Sequence, residues 1–492
     1  MKLERLLHGI EYQFVAGSLE QIVHGIAYDS RQVKEGDAFI CIPGFTSDGH
    51  HFAEEAQNRK ARVIIAEREV NILPGNALIL VDEARKALGL IASNFYQKPS
   101  QAFKLLGVTG TNGKTTTTHL IKAILEKDRN KVGIMGTLYA KMDDYEVMYN
   151  HTTPESLEIE RFFHYLREKA ADYAIIEVSS HALSLGRVDR LCFDAAVFTN
   201  LSQDHLDFHA SMEEYQEAKL KLFQMVARKN DAYSIINQDD PRASQFIRAA
   251  GNNVYTYGIL HAADVKAEQV TTSRQGSSFI VRTPHYTFAV QLNLVGMFSI
   301  YNALAAISLA LKQGVQPEVI VTALQEVQGI PGRFEKVDGG QDFTVIVDYA
   351  HTPDGLKNIL KTGRELTEKR LITIFGCGGD RDKGKRPQMG QIAARYSDFC
   401  IVTSDNPRSE KPEAIIDDII QGIKVVPCAS YTIIPNRKEA IEYGLQMALA
   451  GDLVIIAGKG HETYQIVQDQ IMEFDDRRVA KEALQARKGM DL

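Results

Sequence analysis

Gly110-Thr111-Asn112-Gly113-Lys114-Thr115-Thr116 stands between an apolar run over 104–108 and a stretch of helical spacing over 114–127. A strand, a glycine-rich loop and a helix in that order let consecutive backbone N–H groups cradle phosphate at the helix N-terminus. The arrangement commits this part of the chain to an α/β layer, because the helix must bury its apolar stripe against the sheet. The strict phosphate-loop pattern has Gly five residues before Gly113. Val108 stands there, so this is the shorter Gly-x-x-Gly-Lys-Thr variant. In such a loop Lys114 reaches the β and γ phosphates and the Thr115 hydroxyl binds Mg²⁺. An ordinary glycine-rich turn is the competing reading.

The same alternation continues on both sides. A chain of 492 residues, at roughly 100–200 residues per domain, is expected to hold about three. Residues 1–102 form one small α/β unit, with strands over 63–66 and 78–81, a helix over 84–96 and a linker at Lys98-Pro99-Ser100. Residues 103–333 form a second, with further strands over 173–178 and 195–200. Residues 334–492 form a third, with strands over 345–347, 371–375, 399–402 and 453–456 and a helix over 439–448. Alternating strands and helices imply mostly parallel sheets covered on both faces. Ligands bind at the carboxyl ends of such strands. Four polar segments fall there in the third unit, over 348–351, 376–381, 404–408 and 458–462.

Composition narrows the function. Hydrophobic residues make up 44% and charged residues 24%, a balance that excludes a disordered chain. Asp plus Glu, 63, exceed Lys plus Arg, 56, and the net charge of −7 argues against a dedicated nucleic-acid binder. No apolar run approaches the ~18–20 residues that cross a bilayer, and Met1 to His8 lack the apolar core of a secretory leader. The five cysteines, Cys41, Cys192, Cys377, Cys400 and Cys428, form no C-x-x-C pair. A zinc site or disulfide framework is therefore not expected, and a reduced cytosolic compartment is.

Individual residues sharpen the picture. Glu177 ends a strand beside the phosphate loop, a position that suits a Mg²⁺ ligand, although it could also face solvent. The segment 200–209 contains Asp204, His205 and His209 and runs into Ser211-Met212-Glu213-Glu214, which reads as a capping box. In the helix that follows, Met212, Tyr215, Lys219, Leu222 and Val226 share one face, at ~100° per residue, and Lys221 points the other way. Lys219, inside an apolar stripe, must snorkel, pair or be modified, and snorkelling is the commonest outcome. Arg333 lies at the junction of the second and third units, where it meets either phosphate or a linker carboxylate. On these residues alone, a nucleotide-driven switch or motor and a small-molecule kinase both stay open.

Taken together, the segments resemble the Mur ligase family, ATP-dependent amide ligases that build the cell-wall peptide on a UDP-sugar carrier. The likeness runs from Asp29-Ser30-Arg31 to Gly458-Lys459-Gly460-His461-Glu462. It implies a UDP-binding N-terminal domain with Ser30, Gly44, Phe45 and Thr46 near the nucleotide. It implies a central domain that holds ATP on the loop Gly110–Thr116 and the muramoyl-peptide on Thr152, Thr153, Ser179 and Arg187. The third domain becomes a Rossmann-like unit for the incoming amino acid. Asn237, Arg333 and Asp348 match positions that contact ATP. Two Mg²⁺ ions are implied, with Thr115, Glu177, His205 and a carbamylated Lys219 (N6-carboxylysine) as ligands, which reverses the snorkelling reading. The family usually has Asn at the second position of Phe298-Ser299-Ile300-Tyr301-Asn302, so Ser299 is left outside the site.

Asp405-Asn406-Pro407-Arg408 is the version of the third-substrate loop that resembles diaminopimelate-adding members. A guanidinium binds the extra carboxylate of diaminopimelate bidentately and repels the terminal ammonium of lysine. Arg381, Gly458 and Glu462 match the remaining contacts, with Glu462 placed for the distal ammonium. Without the resemblance, 381–386 reads as a solvated charged loop. The implied reaction moves the γ-phosphoryl of ATP to the glutamyl carboxylate, and the amine of meso-diaminopimelate then attacks the acyl phosphate. Lys114, Glu177, His205 and Lys219 form the catalytic set. The implied partners are ATP, the UDP-N-acetylmuramoyl dipeptide and the amino acid, with no nucleic acid or membrane, and the protein is expected to be a cytoplasmic monomer. A lysine-adding ligase is the nearest alternative. Folate polyglutamate ligases share the loop type but do not suit the Thr-Thr-Pro-Glu-Ser and Asp-Asn-Pro-Arg segments.

Overall fold

The computed structural model describes residues 1–44 and 47–490, so Phe45 and Thr46 lie outside the described residues. The first sheet runs in the order Gln13–Ala16, Ala77–Leu80, Val63–Ala66, Ala38–Ile40, Ile26–Ala27, and only its first pairing is antiparallel. Val63–Ala66 is buried along its whole length, as an unbroken Val-Ile-Ile-Ala run requires of a strand covered on both faces. The helix Ala84–Phe95 buries Leu88, Ile91 and Ala92 on this sheet. Leu157, from the next unit, completes the same core. The expected linker at 98–100 is instead a tight 3₁₀ turn, Pro99–Gln101, with Lys98 left-handed (φ 51°) and Pro99 and Ser100 buried. Proline at the first position of a helical turn has its φ already set, which favours the turn over an extended linker.

The second sheet has eleven strands among the described residues. Seven run parallel in the middle, in the order Val132–Met135, Tyr173–Glu177, Lys104–Thr109, Ala195–Phe198, Tyr233–Asn237, Val254–Gly258, Val265–Ser273. Antiparallel ribbons finish both edges. Lys104–Thr109 is central, and the chain leaves it toward one edge before returning on its other side. That reversal opens a crevice above Thr109, where the phosphate loop begins. The helix Lys114–Lys127 buries Leu120, Ile121, Ile124 and Leu125 and packs on the helix Met297–Lys312.

The third sheet is parallel over Thr344–Asp348, Leu453–Ala457, Leu371–Phe375, Phe399–Val402 and Tyr431–Ile433, with Glu335–Lys336 as an antiparallel edge. Apolar clusters cover both of its faces. No helix among the described residues is long and apolar enough to cross a membrane.

Candidate active site

Gly113 caps the helix Lys114–Lys127 with a left-handed backbone (φ 86°), and a Cβ there would come within 2.3 Å of Asn302 Oδ1. Glycine is what that turn admits. The loop bounds a cavity of about 600 Å³, a size that suits a nucleotide. Thr111 through Thr116, Thr152, Glu177, His205, Asn237, Arg333 and Asp348 line it, so twelve of the expected positions meet in one place. Tyr301, Asn302, Asp204 and His351 line it as well. Ser299 turns its hydroxyl back to the Val295 carbonyl, just before its helix begins, at 2.8 Å.

Glu177 is buried and does not face solvent. Its Oε2 accepts from the hydroxyls of Thr115 (3.1 Å) and Thr137 (2.9 Å), and its Oε1 accepts from the Thr137 N–H (3.0 Å). Arg333 donates to Thr115 Oγ1 at 3.0 Å and stacks 4.4 Å from the Tyr349 ring. It therefore reaches from the junction of the second and third units to the phosphate loop, and among the described residues no linker carboxylate pairs with it. Asn237 donates to the Thr199 carbonyl at 2.8 Å. Asp348 is pinned by the N–H groups of Phe334 (2.6 Å) and Ala350 (2.7 Å), while burial pushes its carboxyl above the ordinary range.

Gly110, expected on the ATP loop, does not line the cavity. Its carbonyl accepts from Lys114 Nζ and from Lys219 Nζ, both at 2.9 Å. Lys219 is 1% exposed and does not snorkel. The helix Met212–Ala227 is buried on that face, so its stem cannot reach water. Burial, aided by the nearby Lys114 charge, holds Lys219 well below the ordinary lysine range. Burial also lowers Lys114. The capping box is half formed: Ser211 Oγ accepts from the Glu214 N–H, whereas the Glu214 carboxylate reaches the Ala210 N–H.

His205 sits at a left-handed position (φ 56°), with its ring 4.7 Å from that of His181 and its Nε2 3.3 Å from Asp204. Burial is the main cause that depresses it, and Asp204 opposes. Asp204 also faces His351 Nε2 (3.8 Å) and Lys385 Nζ (3.9 Å), both from the third unit. Thr137, Asp204, His351 and Lys385 were not singled out by sequence reasoning. The last three sit inside the polar segments noted there or next to one, but the contacts of Asp204 with His351 and Lys385 span more than a hundred residues.

Thr153 Oγ1 donates to the Glu177 carbonyl (2.7 Å) and accepts from the Ser179 N–H (3.0 Å). Thr152 Oγ1 is 3.1 Å from the Thr137 hydroxyl. Arg187 donates to the Thr153 carbonyl (2.9 Å) and pairs with Glu155 (2.8 Å). Glu155 also pairs with Arg85 of the first unit, whose guanidinium reaches the Pro43 carbonyl. Ser30 and Gly44 lie outside the cavity: Ser30 donates to Glu55 (2.8 Å), and the Gly44 N–H donates to the Ser47 carbonyl.

On the third sheet, the loops after the strands converge. The Gly458 N–H donates to the Asp348 carbonyl, and Gly458 (φ 116°) leaves no room for a Cβ, which would lie 2.6 Å from Asp405 Oδ2. Asn406 donates to Glu462 at 2.9 Å. Pro407 is buried beside them, its carbonyl against Gly379. Arg408 is left-handed (φ 53°), bridged to Val467, and donates to the Gly379 carbonyl at 2.7 Å. Arg381 is exposed and donates to its neighbour's carbonyl. Burial, then His209, Arg187 and Arg381, push His181 down to about 4, so Arg381 bears on the central unit as well. The solvated-loop reading of 381–386 fails at its far end, where Arg386 is 1% exposed and pairs with Glu410 and Asp418.

A Mur ligase middle-domain model matches residues 108–310, a Mur ligase glutamate ligase domain model matches 332–460, and a Mur ligase family catalytic-domain model matches 22–96. The UDP-N-acetylmuramoyl-L-alanyl-D-glutamate–2,6-diaminopimelate ligase of Syntrophomonas wolfei is 54% identical over 487 residues, 99% of this chain and 100% of that one. The protein of the same name from Caldanaerobacter subterraneus is 46% identical over 484 residues, 98% of this chain and 99% of that one. A solved structure with that name is 33% identical, with a TM-score of 0.67 and 99% of each chain covered. MurF from Acinetobacter baumannii, at 20% identity and a TM-score of 0.72, covers 99% of this chain and 98% of its own and shares the fold. With three family models placed in order along it and full-length relatives at these identities, the chain belongs to the Mur ligase family.

Proposed function

We propose that this chain is an ATP-dependent ligase that joins diaminopimelate to UDP-N-acetylmuramoyl-L-alanyl-D-glutamate in peptidoglycan precursor synthesis, releasing ADP and phosphate. The observation that carries the reading is the Asp405–Arg408 loop, gathered with Glu462 beside a phosphate cradle, in a chain 54% identical to a ligase of that name. Residues 1–102 hold the UDP moiety, 103–333 hold ATP and the peptide, and 334–492 hold the incoming amino acid. The working form is a cytoplasmic monomer.

The donor set fits Mg²⁺. Thr115 Oγ1 and Glu177 Oε2 are hard oxygen donors 3.1 Å apart at the cavity wall. Among the described residues no three His, Cys, Asp or Glu side chains cluster as a metal cage. Mg²⁺ commonly keeps waters and takes substrate phosphates, so a sparse protein set suits it. When bound, two such ions supply neutralisation of the phosphoryl oxygens. As a free amine Lys219 only donates, to Gly110. Its burial favours the uncharged form, whose lone pair can add CO₂ with loss of a proton, and the product would be an anionic oxygen ligand.

Lys114 would turn from the Gly110 and Thr111 carbonyls to the γ-phosphoryl, and Arg333 would follow the charge from Thr115. The glutamyl carboxylate takes the phosphoryl, Arg408 and Arg381 orient the amino acid through its carboxylate, and its amine displaces phosphate. The test is ADP release with Mg²⁺, ATP and the UDP-dipeptide, with meso-diaminopimelate or lysine added. Release that depends on diaminopimelate, with ¹⁸O passing from the dipeptide carboxylate into phosphate, is expected. Release with lysine would transfer the reading to a lysine-adding ligase. Release indifferent to both would favour a nucleotide switch.

A further inference from the structure

Lys459 sits inside the amino-acid cluster without any outlet to water. It is 0% exposed, and its Nζ donates to Glu462 Oε2 at 2.8 Å and to Asn406 Oδ1 at 3.1 Å, 5.5 Å from the Tyr464 ring. Asn406 Oδ1 takes a second donor, the Ile466 N–H, at 2.9 Å. A flipped Asn406 would set its NH₂ against that ammonium and that N–H, so the amide has one usable orientation, with Nδ2 on Glu462. Glu462 Oε2 thus receives two donors, and Oε1 is left for an incoming cation.

We propose that Lys459 is a positioning residue for the incoming amino acid, orienting Asn406 and holding Glu462 as a preformed carboxylate for the substrate's distal ammonium. The inference rests on the amino-acid site described under the proposed function. Glu462 is faced by Lys459 of its own loop, Asp405 of the 404–408 loop, Tyr349 after the strand Thr344–Asp348, Tyr464 of the following hairpin and Arg437 of the helix Arg437–Met447. Arg437 is committed to a buried ion pair with Asp476, at 2.6 Å. Lys459 is therefore the cation in contact with the carboxylate. Burial raises the Glu462 carboxyl, Asp405 adds to the rise, and Lys459 is the strongest influence lowering it. A buried carboxylate without a paired cation would take up a proton and lose its hold on an ammonium.

Initial rates of the full-length enzyme, with ATP and UDP-dipeptide saturating and meso-diaminopimelate varied from pH 6 to pH 9, test the role. Lys459→Gln keeps an amide donor and removes the charge. It should raise the KM for diaminopimelate about tenfold at neutral pH and leave the KM for ATP within about twofold. The acid limb of kcat/KM for diaminopimelate should move up by about one pH unit. In a Glu462→Gln background the same substitution should add less than about twofold. An unchanged KM with an unmoved acid limb overturns the proposal, as does a KM effect that persists undiminished without Glu462. If Lys459→Gln does not fold, Lys459→Arg keeps the charge and displaces it. A raised KM with the acid limb in place is then expected, and a wild-type KM overturns the role. Wild-type ADP release that ignores diaminopimelate would overturn the functional reading, and the role with it, before any variant is compared.

Discussion

Glu160→Gln should make the fold less sensitive to alkali. Glu160 lies on the helix Ser156–Glu168, one turn from Leu157, which packs into the core of the first unit. It is 1% exposed, and among the described residues neither carboxylate oxygen has a well-formed hydrogen bond, the Ser93 hydroxyl being a weak neighbour. Burial pushes its carboxyl from 4.5 up to about 8, and the Ser93 hydroxyl is the one influence pulling the other way. The sign follows from proton counting. Between those two values the unfolded chain has released the proton and the folded chain still holds it, so stability falls as pH rises through the window. At about 1.4 kcal/mol per pH unit, less near each end of the window, the loss from pH 5 to pH 8 sums to about 3–4 kcal/mol. Glutamine has nearly the same volume and no proton to release, so the variant should lack this loss. Urea unfolding of both proteins at pH 5, 6, 7 and 8 measures it. Hydrogen exchange along Ala84–Phe95 and Ser156–Glu168 would assign the effect to that interface. Parallel pH profiles would refute the reasoning and mean that the folded protein holds Glu160 ionised.

Other substitutions probe the site itself. Lys219→Ala should lower kcat by about 10²–10³, and a short carboxylic acid should restore part of it in the ADP-release assay; an absence of rescue counts against a carboxylated lysine. Arg408→Ala should raise the KM for diaminopimelate by about 10–100-fold and leave the KM for ATP alone, as loss of a charge-assisted hydrogen bond predicts. Gly458→Ala forces a Cβ to within 2.6 Å of Asp405 Oδ2 at φ 116°. Thermal unfolding should register about 1–3 kcal/mol of destabilisation, and a wild-type melting curve would show that the Asp405 loop yields freely.

Much of the local structure was legible. The helix Lys114–Lys127 and the strands Leu371–Phe375 and Phe399–Val402 fall where periodicity and apolar runs put them. Such elements are decided over a few residues by burial on one face or both. The phosphate loop was legible for the same reason, since its strand and helix are adjacent in the chain. The turn at Pro99–Gln101 was not, because its composition is that of a linker and its burial depends on the units it joins.

The fate of charged side chains needed the assembled molecule. The helical face of Lys219 could be read from spacing. Its end on the Gly110 carbonyl could not, because 109 residues separate them. Arg386 read as a member of a solvated charged loop, yet it is buried against Glu410 and Asp418 of other segments; Lys459 read as part of a polar strand-end segment, yet it is buried against Glu462 of its own loop and Asn406 of another. Residue spacing was enough for the alternating elements, the phosphate cradle and the inventory of charges. Which charges lose water, and which partner each then meets, came from the packed molecule, because desolvation and ion pairing depend on contacts between elements far apart in the chain.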